Sequence, residues 1–316
     1  MLRALAADFS RIGGVSTDVL VDVRHRDLDL SGCTIHSVDS ASAEPETFAR
    51  LAALADWTVV VAPEFDDHLL SRSLTVERAG GRLLSPNSRL VALAADKQAT
   101  AEHLSARGVS VAPGIALAAG ESLPVDFHYP AVLKPRFGAG SQGIRWIADA
   151  RAIGGDVSAS SRLERYVPGT AVSVAALCGP PKGAFSGISP LVPCRQFVDR
   201  SAGFAYSGGS LPIEPELARR ATRLATRAIA TLDEPLGYLG VDLVLGDDAS
   251  GADDAVIEIN PRVTTSYVGL RALARGNLAE AMIEIAAGHK IELCWQGGSI
   301  QFQSSGGVHR VELSSL

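Results

Sequence analysis

Ile257-Glu258-Ile259-Asn260-Pro261-Arg262 alternates apolar and polar residues at the period of a β-strand. That spacing sets Glu258 and Asn260 on one face and sends both isoleucines into the core. Upstream, Gly240-Val241-Asp242-Leu243-Val244-Leu245 is a second apolar strand interrupted by a single carboxylate. If the two strands are neighbours, Asp242 lies near Glu258 and Asn260. Oxygen donors of this kind suit Mg²⁺, a hard cation that keeps several waters and is usually shared with substrate phosphates. Arg262, two residues past Asn260, can offer a planar fork of donors to a transferred phosphoryl group. Either strand taken alone is equally a buried hydrogen-bonded pair with a surface arginine, so the rest of the chain has to decide.

Gly138-Ala139-Gly140-Ser141-Gln142-Gly143 matches G-x-G-x-x-G. A dinucleotide-binding turn needs a helix after the glycines, whereas Ile144-Arg145-Trp146-Ile147 is short and β-rich, so the context is strand, loop, strand. Ile144 after Gly143 also excludes a P-loop, which requires lysine there. His25-Arg26-Asp27-Leu28 imitates a kinase catalytic loop, but it precedes the glycines and lacks the asparagine five residues beyond its aspartate. What survives is a glycine hairpin whose backbone N–H groups can fold over phosphates, or a plain tight hairpin. Lys134 ends the apolar run Ala131-Val132-Leu133. Buried, its ammonium needs a partner, for which a nucleotide phosphate is suited; the alternative is an exposed strand end.

With 316 residues the chain should form two or three packed lobes. The composition, 47% hydrophobic and 20% charged, is that of a soluble globular protein, with no long uncharged apolar run and no signal-peptide core, which places it in the cytoplasm. A formal charge of −6 gives no footprint for nucleic acid or anionic lipid. Cys33, Cys178, Cys194 and Cys294 are far apart and lack a Cys-x-x-Cys pair, so they read as reduced structural thiols. The first third alternates helical (48–56, 67–79) and extended (58–62, 82–84) signals, as in a small α/β lobe with parallel strands. It opens with a helix-like 1–11 where such a lobe normally opens with a strand. Asp96 is set to cap a helix running to Arg107. Strand signals follow at 131–134, 143–147, 162–167, 172–177, 238–245 and 255–259, with helices at 216–232 and 278–287.

In this order, Lys97, Lys134, the glycine loop, Glu164-Arg165-Tyr166-Val167, Asp242 and Glu258-x-Asn260-Pro261-Arg262 resemble the ATP-grasp superfamily over roughly Asp96 to Leu270. The resemblance implies an ATP-grasp fold of mixed α/β and α+β class. Its parts would be a Rossmann-like pre-ATP-grasp lobe (residues 1–90, its first strand expected to be missing), a central lobe with the glycine-rich lid (91–168) and a C-terminal lobe (169–316), the last two sandwiching ATP. It implies that Lys97 and Lys134 contact ATP phosphates, that Gly138, Gly140, Ser141 and Gly143 form the lid, and that Glu164, Arg165, Tyr166 and Val167 form the hinge reading adenine. Asp242, Glu258 and Asn260 would hold magnesium, or manganese in its place, and Arg262 would stabilise the phosphoryl group and an acyl phosphate. One departure stands out: many members carry an acidic residue two positions after the hinge-end glycine to hold ribose, and here that position is Ala171.

The stretch from Glu258 through Thr264-Thr265-Ser266-Tyr267 to Leu270 looks like the branch containing tyramine–glutamate ligase of methanofuran biosynthesis. That likeness implies small-molecule carboxylate and amine substrates. Thr264, Thr265, Ser266 and Tyr267 would either present hydroxyls to an acceptor or cap a helix beginning near Gly269. D-alanine–D-alanine-type ligases, bicarbonate-activating carboxylases and a catalytically degenerate scaffold subunit are the other readings the resemblance allows. Homodimers are common in such ligases.

Overall fold

The computed structural model describes residues 1–152, 156–182 and 186–311. The chain opens with helix α1 (Leu2–Phe9), followed by strands β1 (Asp18–Asp22) and β2 (Thr34–Val38), which pair in parallel. Helices α2 (Glu44–Leu54), α3 (His68–Arg78) and α4 (Ser88–Ala95) complete this part. The apolar run 58–62, expected as a strand, makes only one parallel bridge, Thr58 to Leu83. Its apolar residues still serve the core, where Val60 packs with Ala52, Leu69, Val76 and Leu83.

Helix α5 (Lys97–Ser105) starts where Asp96 accepts hydrogen bonds from the N–H groups of Gln98 and Ala99, the cap expected from sequence. A four-stranded antiparallel sheet follows, from β3 (Gly114–Leu117), β4 (Ala131–Pro135), β5 (Arg145–Ile147) and β6 (Ser161–Arg165), in the order β3-β6-β4-β5. The glycine loop is the β4–β5 hairpin connection, as its strand, loop, strand context required.

The remaining strands are β7 (Thr170–Cys178), β8 (Ile188–Pro190), β9 (Cys194–Asp199) and β10 (Ala205–Leu211). After helix α6 (Pro215–Ile229) come β11 (Gly237–Leu245) and β12 (Ala255–Asn260). Helices α7 (Ser266–Leu273) and α8 (Leu278–Ala286) lead to β13 (Ser299–Gln303) and β14 (Val308–Val311). They build an eight-stranded antiparallel sheet ordered β12-β11-β7-β9-β10-β13-β14, with β8 beside β7. Val172, Val174 and Ala176 of β7 and Leu239, Val241 and Leu243 of β11 face the apolar stripe of α6, in which Ala221, Ala225, Ala228 and Ile229 are buried. The opposite face packs Leu177, Tyr238 and Phe302 against Leu270, Met282 and Ile285 of α7 and α8.

A buried ion pair ties α6 to the turn before β12. Arg220 Nε donates to Asp254 Oδ2 at 3.0 Å, Nη2 also reaches Asp254 and the Gly246 carbonyl, and both side chains are almost fully buried. Asp254→Ala would strand the guanidinium away from water. The expected loss is about 3 kcal/mol or more, measured by chemical denaturation.

Candidate functional site

The expected neighbourhood of the two carboxylates is present. Asp242 lies directly opposite Glu258 in the β11–β12 register and directly opposite Ser173 in the β11–β7 register. The three therefore form a row across neighbouring strands, on the side away from Val241 and Leu243. Asn260 Nδ2 donates to Asp242 Oδ2 and Gln196 Nε2 to Asp242 Oδ1, both at 3.0 Å. Burial, followed by the charge of Glu258, raises the Asp242 carboxyl to about 6.

One detail of the strand reading is corrected. Ile259 is in the core, but Ile257 is not: a β-bulge places Leu243 opposite Val256, so Val256 takes the core position and Ile257 turns to the cleft. The extra residue also presents the Ile257 carbonyl to Lys134 Nζ at 3.3 Å. Bulges recur beside active sites because they re-aim groups in this way.

Lys134 is 2% exposed, which rules out a free strand end. Its ammonium pairs with Glu164 Oε1 at 2.7 Å, and Glu164 also accepts from Arg162 Nε at 3.1 Å. Glu164, expected in an adenine-reading hinge, is thus committed to two cations. Lys97 is held from two sides. It does not line the cleft; Nζ donates to the Gly138 carbonyl at 2.6 Å and lies 3.4 Å from Glu258 Oε1, stitching the base of the glycine loop to the carboxylate strand. The same base is held by Arg136, whose guanidinium bridges both oxygens of the helix-capping Asp96 at 2.8 and 2.6 Å.

Gly140 and Ser141 both adopt left-handed backbone, φ 68° and 62°, and both line the cleft, whereas Gly138 and Gly143 do not. Among the described residues, the backbone N–H groups of Gly140 and Ser141 have no acceptor. A turn with free N–H groups is a cradle for an anion.

The cleft has a volume of about 340 Å³. Arg165, Tyr166 and Val167 line it beside Lys134 and Glu164, and Thr264, Thr265 and Ser266 line it beside Asn260 and Arg262. Tyr267 does not. It is fully buried, with its hydroxyl donating to Asp8 of α1 at 2.7 Å, because α7 begins at Ser266 rather than near Gly269 and turns Tyr267 inward. Ala171 lines the cleft, so no carboxylate is available at that position.

Sequence reading missed the β9–β10 hairpin, which supplies Gln196, Val198, Arg200, Phe204 and Tyr206 to the cleft. Arg200 reaches across to the smaller sheet, 4.5 Å from the Trp146 ring centre and 5.9 Å from that of Tyr166. Little in the sequence signals it: Cys194-Arg195-Gln196-Phe197-Val198-Asp199 does not alternate, and only Gly203 marks the turn. Also missed was Glu64, whose carboxylate accepts from Arg262 Nε at 2.7 Å and Nη2 at 2.9 Å.

Among the described residues, no helix is long and apolar enough to cross a membrane. The ATP-grasp domain model matches residues 94–266 and the pre ATP-grasp 3 domain model residues 15–91. The chain is 30% identical over 135 residues to tyramine–L-glutamate ligase from Methanocaldococcus fervens, a match covering 43% of this chain and 41% of that protein. It thus spans about two fifths of the length of that curated relative. Biotin carboxylase from Campylobacter jejuni superposes with a TM-score of 0.74 at 18% identity, over 95% of this chain and 72% of that one. For N5-carboxyaminoimidazole ribonucleotide synthetase from Thermotoga maritima the values are 0.70 and 19%, over 92% and 74%. These neighbours share the fold, and the family match covers more than half of the sequence, including the glycine loop, Lys97, Lys134 and the carboxylate strands. The chain belongs to the ATP-grasp family.

Proposed function

We propose that this protein is an ATP-dependent ligase that activates a carboxylate as an acyl phosphate and joins it to an amine, with glutamate and tyramine or a similar amine as the pair, in the formation of a methanofuran-like cofactor. The observation that carries the reading is the oxygen-donor row Ser173–Asp242–Glu258 with Asn260, sharing one cleft with Lys134, Arg262 and the glycine loop. The likeness to tyramine–L-glutamate ligase supports the substrate pair. Residues 1–90, 91–168 and 169–316 are proposed as the three lobes.

The donor chemistry fits a magnesium ion. Asp242 and Glu258 offer carboxylate oxygens, and Asn260 keeps its amide oxygen because Nδ2 is turned to Asp242. Two carboxylates and one amide oxygen are a donor set that magnesium accepts when water and phosphate oxygens complete it. Bound there, the ion supplies neutralising charge to the phosphates.

Lys134 and the free loop N–H groups hold the phosphate chain, and Arg262 donates to the group in transfer. A substrate carboxylate oxygen bonds to the γ-phosphorus as the bond to the ADP oxygen breaks. The amine then attacks the acyl carbon and phosphate leaves, so no protein nucleophile is required. Closure of the glycine loop keeps water from the acyl phosphate.

The test is phosphate release from ATP and magnesium across a panel of carboxylates and amines. Release that depends on both glutamate and tyramine, and falls to background with EDTA, is the expected result. Release with a different pair, or with bicarbonate, would move the substrate assignment. A melting shift with magnesium and ADP but no turnover with any pair would favour a scaffold.

A further inference from the structure

We infer that Glu64, delivered from the N-terminal part of the chain, is a positioning residue for Arg262. The inference rests on the role proposed above for that arginine. Arg262 lines the cleft and Glu64 does not. Glu64 is 5% exposed, and both of its oxygens are engaged by the guanidinium, Oε1 with Nε at 2.7 Å and Oε2 with Nη2 at 2.9 Å. The two residues are 198 positions apart in sequence. The remaining Nη1 group has only a 3.5 Å contact with the Val263 carbonyl. The fork to Glu64 uses the Nε proton and one Nη2 proton and the Val263 carbonyl takes one Nη1 proton at long range, so the other Nη1 proton and the second Nη2 proton stay available to a ligand.

The segment carrying Glu64 is shaped to deliver it. Asp66 and Asp67 follow at φ 51° and 55°, left-handed conformations that residues other than glycine adopt rarely and that persist where their surroundings hold them. The turn closes through the Leu69 N–H to the Pro63 carbonyl at 3.0 Å, and Leu69 is 1% exposed. A guanidinium on a flexible stem loses rotamer freedom when a reaction needs it in one place. Here a buried bidentate partner fixes its plane beforehand, which is what preorganised stabilisation of developing charge requires.

The assignment differs from simple cross-linking of the two parts of the chain in what it predicts for ligands. The readout is calorimetric binding of magnesium-ADP alone, and of magnesium-ADP with aluminium fluoride as a mimic of the phosphoryl group in transfer. Glu64→Gln in the full chain should keep magnesium-ADP affinity within about threefold and weaken the aluminium fluoride complex about tenfold or more, as should Arg262→Ala. The double variant should be no worse than Arg262→Ala, since the two act as one unit. If Glu64→Gln binds the mimic like the parent while Arg262→Ala does not, the inference falls and the ligase reading stands. Should Arg262→Ala also bind it like the parent, the role of Arg262 fails and the inference with it. Tighter binding by Glu64→Gln would make Glu64 a restraint and overturn the assignment. Glu64→Asp is read in the same way if Glu64→Gln does not fold: a selectively weakened mimic complex supports positioning, and unchanged binding overturns it.

Discussion

Glu258→Gln is expected to lower turnover on the order of 10³-fold at ordinary magnesium, because it removes a charge around which the cleft is organised. Glu258 sits in the cleft, opposite Asp242 and 3.4 Å from Lys97 Nζ. Glutamine keeps the shape and loses the negative charge. Three consequences follow in order. A divalent cation meets one carboxylate instead of two, so the magnesium concentration giving half-maximal rate rises, and excess magnesium restores part of the activity. Lys97 loses its ionic partner but keeps the Gly138 carbonyl at 2.6 Å, so the base of the glycine loop stays in place. The charge repulsion across β11 and β12 disappears, so the melting temperature does not fall. The measurement is a magnesium titration of phosphate release beside a melting curve. Undiminished turnover at low magnesium would remove Glu258 from the cation site. A large fall in melting temperature would instead make the residue a structural partner of Lys97.

The carboxylate strands were legible in sequence because strand alternation is a local signal and each carboxylate is a lone polar residue in an apolar run. The same logic gave the wrong side for Ile257, since a bulge depends on the neighbouring strand and leaves no mark in its own sequence. Asp96 was readable as a cap from the residues that follow it, but not as the anchor of Arg136, a contact made 40 residues along the chain. Lys134 and Glu164 were each singled out as nucleotide contacts, yet their pairing with one another arises only from the antiparallel meeting of β4 and β6. Glu64 followed an apolar run that looked like a strand and became almost none, and its partner lies in the last third of the chain. Tyr267 misled because a hydroxyl beside Thr264–Ser266 reads as surface chemistry. Helical geometry turned it inward onto Asp8, a residue with no local signal at all.

Asp242→Asn should abolish magnesium-dependent turnover and yet stabilise the cation-free protein at neutral pH. Burial and the facing Glu258 raise the folded-state carboxyl to about 6, against an ordinary value of 3.8. Between those values the folded state holds a proton that the unfolded chain has released. Stability from this group therefore falls as pH rises from about 4 to about 6, and above that range the folded protein carries the penalty in full. At about 1.4 kcal/mol for each pH step, the penalty is on the order of 3 kcal/mol. Asparagine removes it and keeps one acceptor for the amides of Gln196 and Asn260, which now both reach the carboxylate at 3.0 Å. One mismatched hydrogen bond gives back about 1 kcal/mol. The net gain of about 2 kcal/mol should appear as a rise of a few degrees in melting temperature at pH 8 without magnesium, shrinking as pH falls and reversing to a deficit of about 1 kcal/mol below pH 4, where only the mismatched hydrogen bond remains. Magnesium with ADP should then stabilise the parent protein more than Asp242→Asn, since the variant has given up the charge that the cation would neutralise. If Asp242→Asn melts below the parent at pH 8 in EDTA, the carboxylate is held for structural reasons. The strained oxygen row would then lose its standing as a cation site.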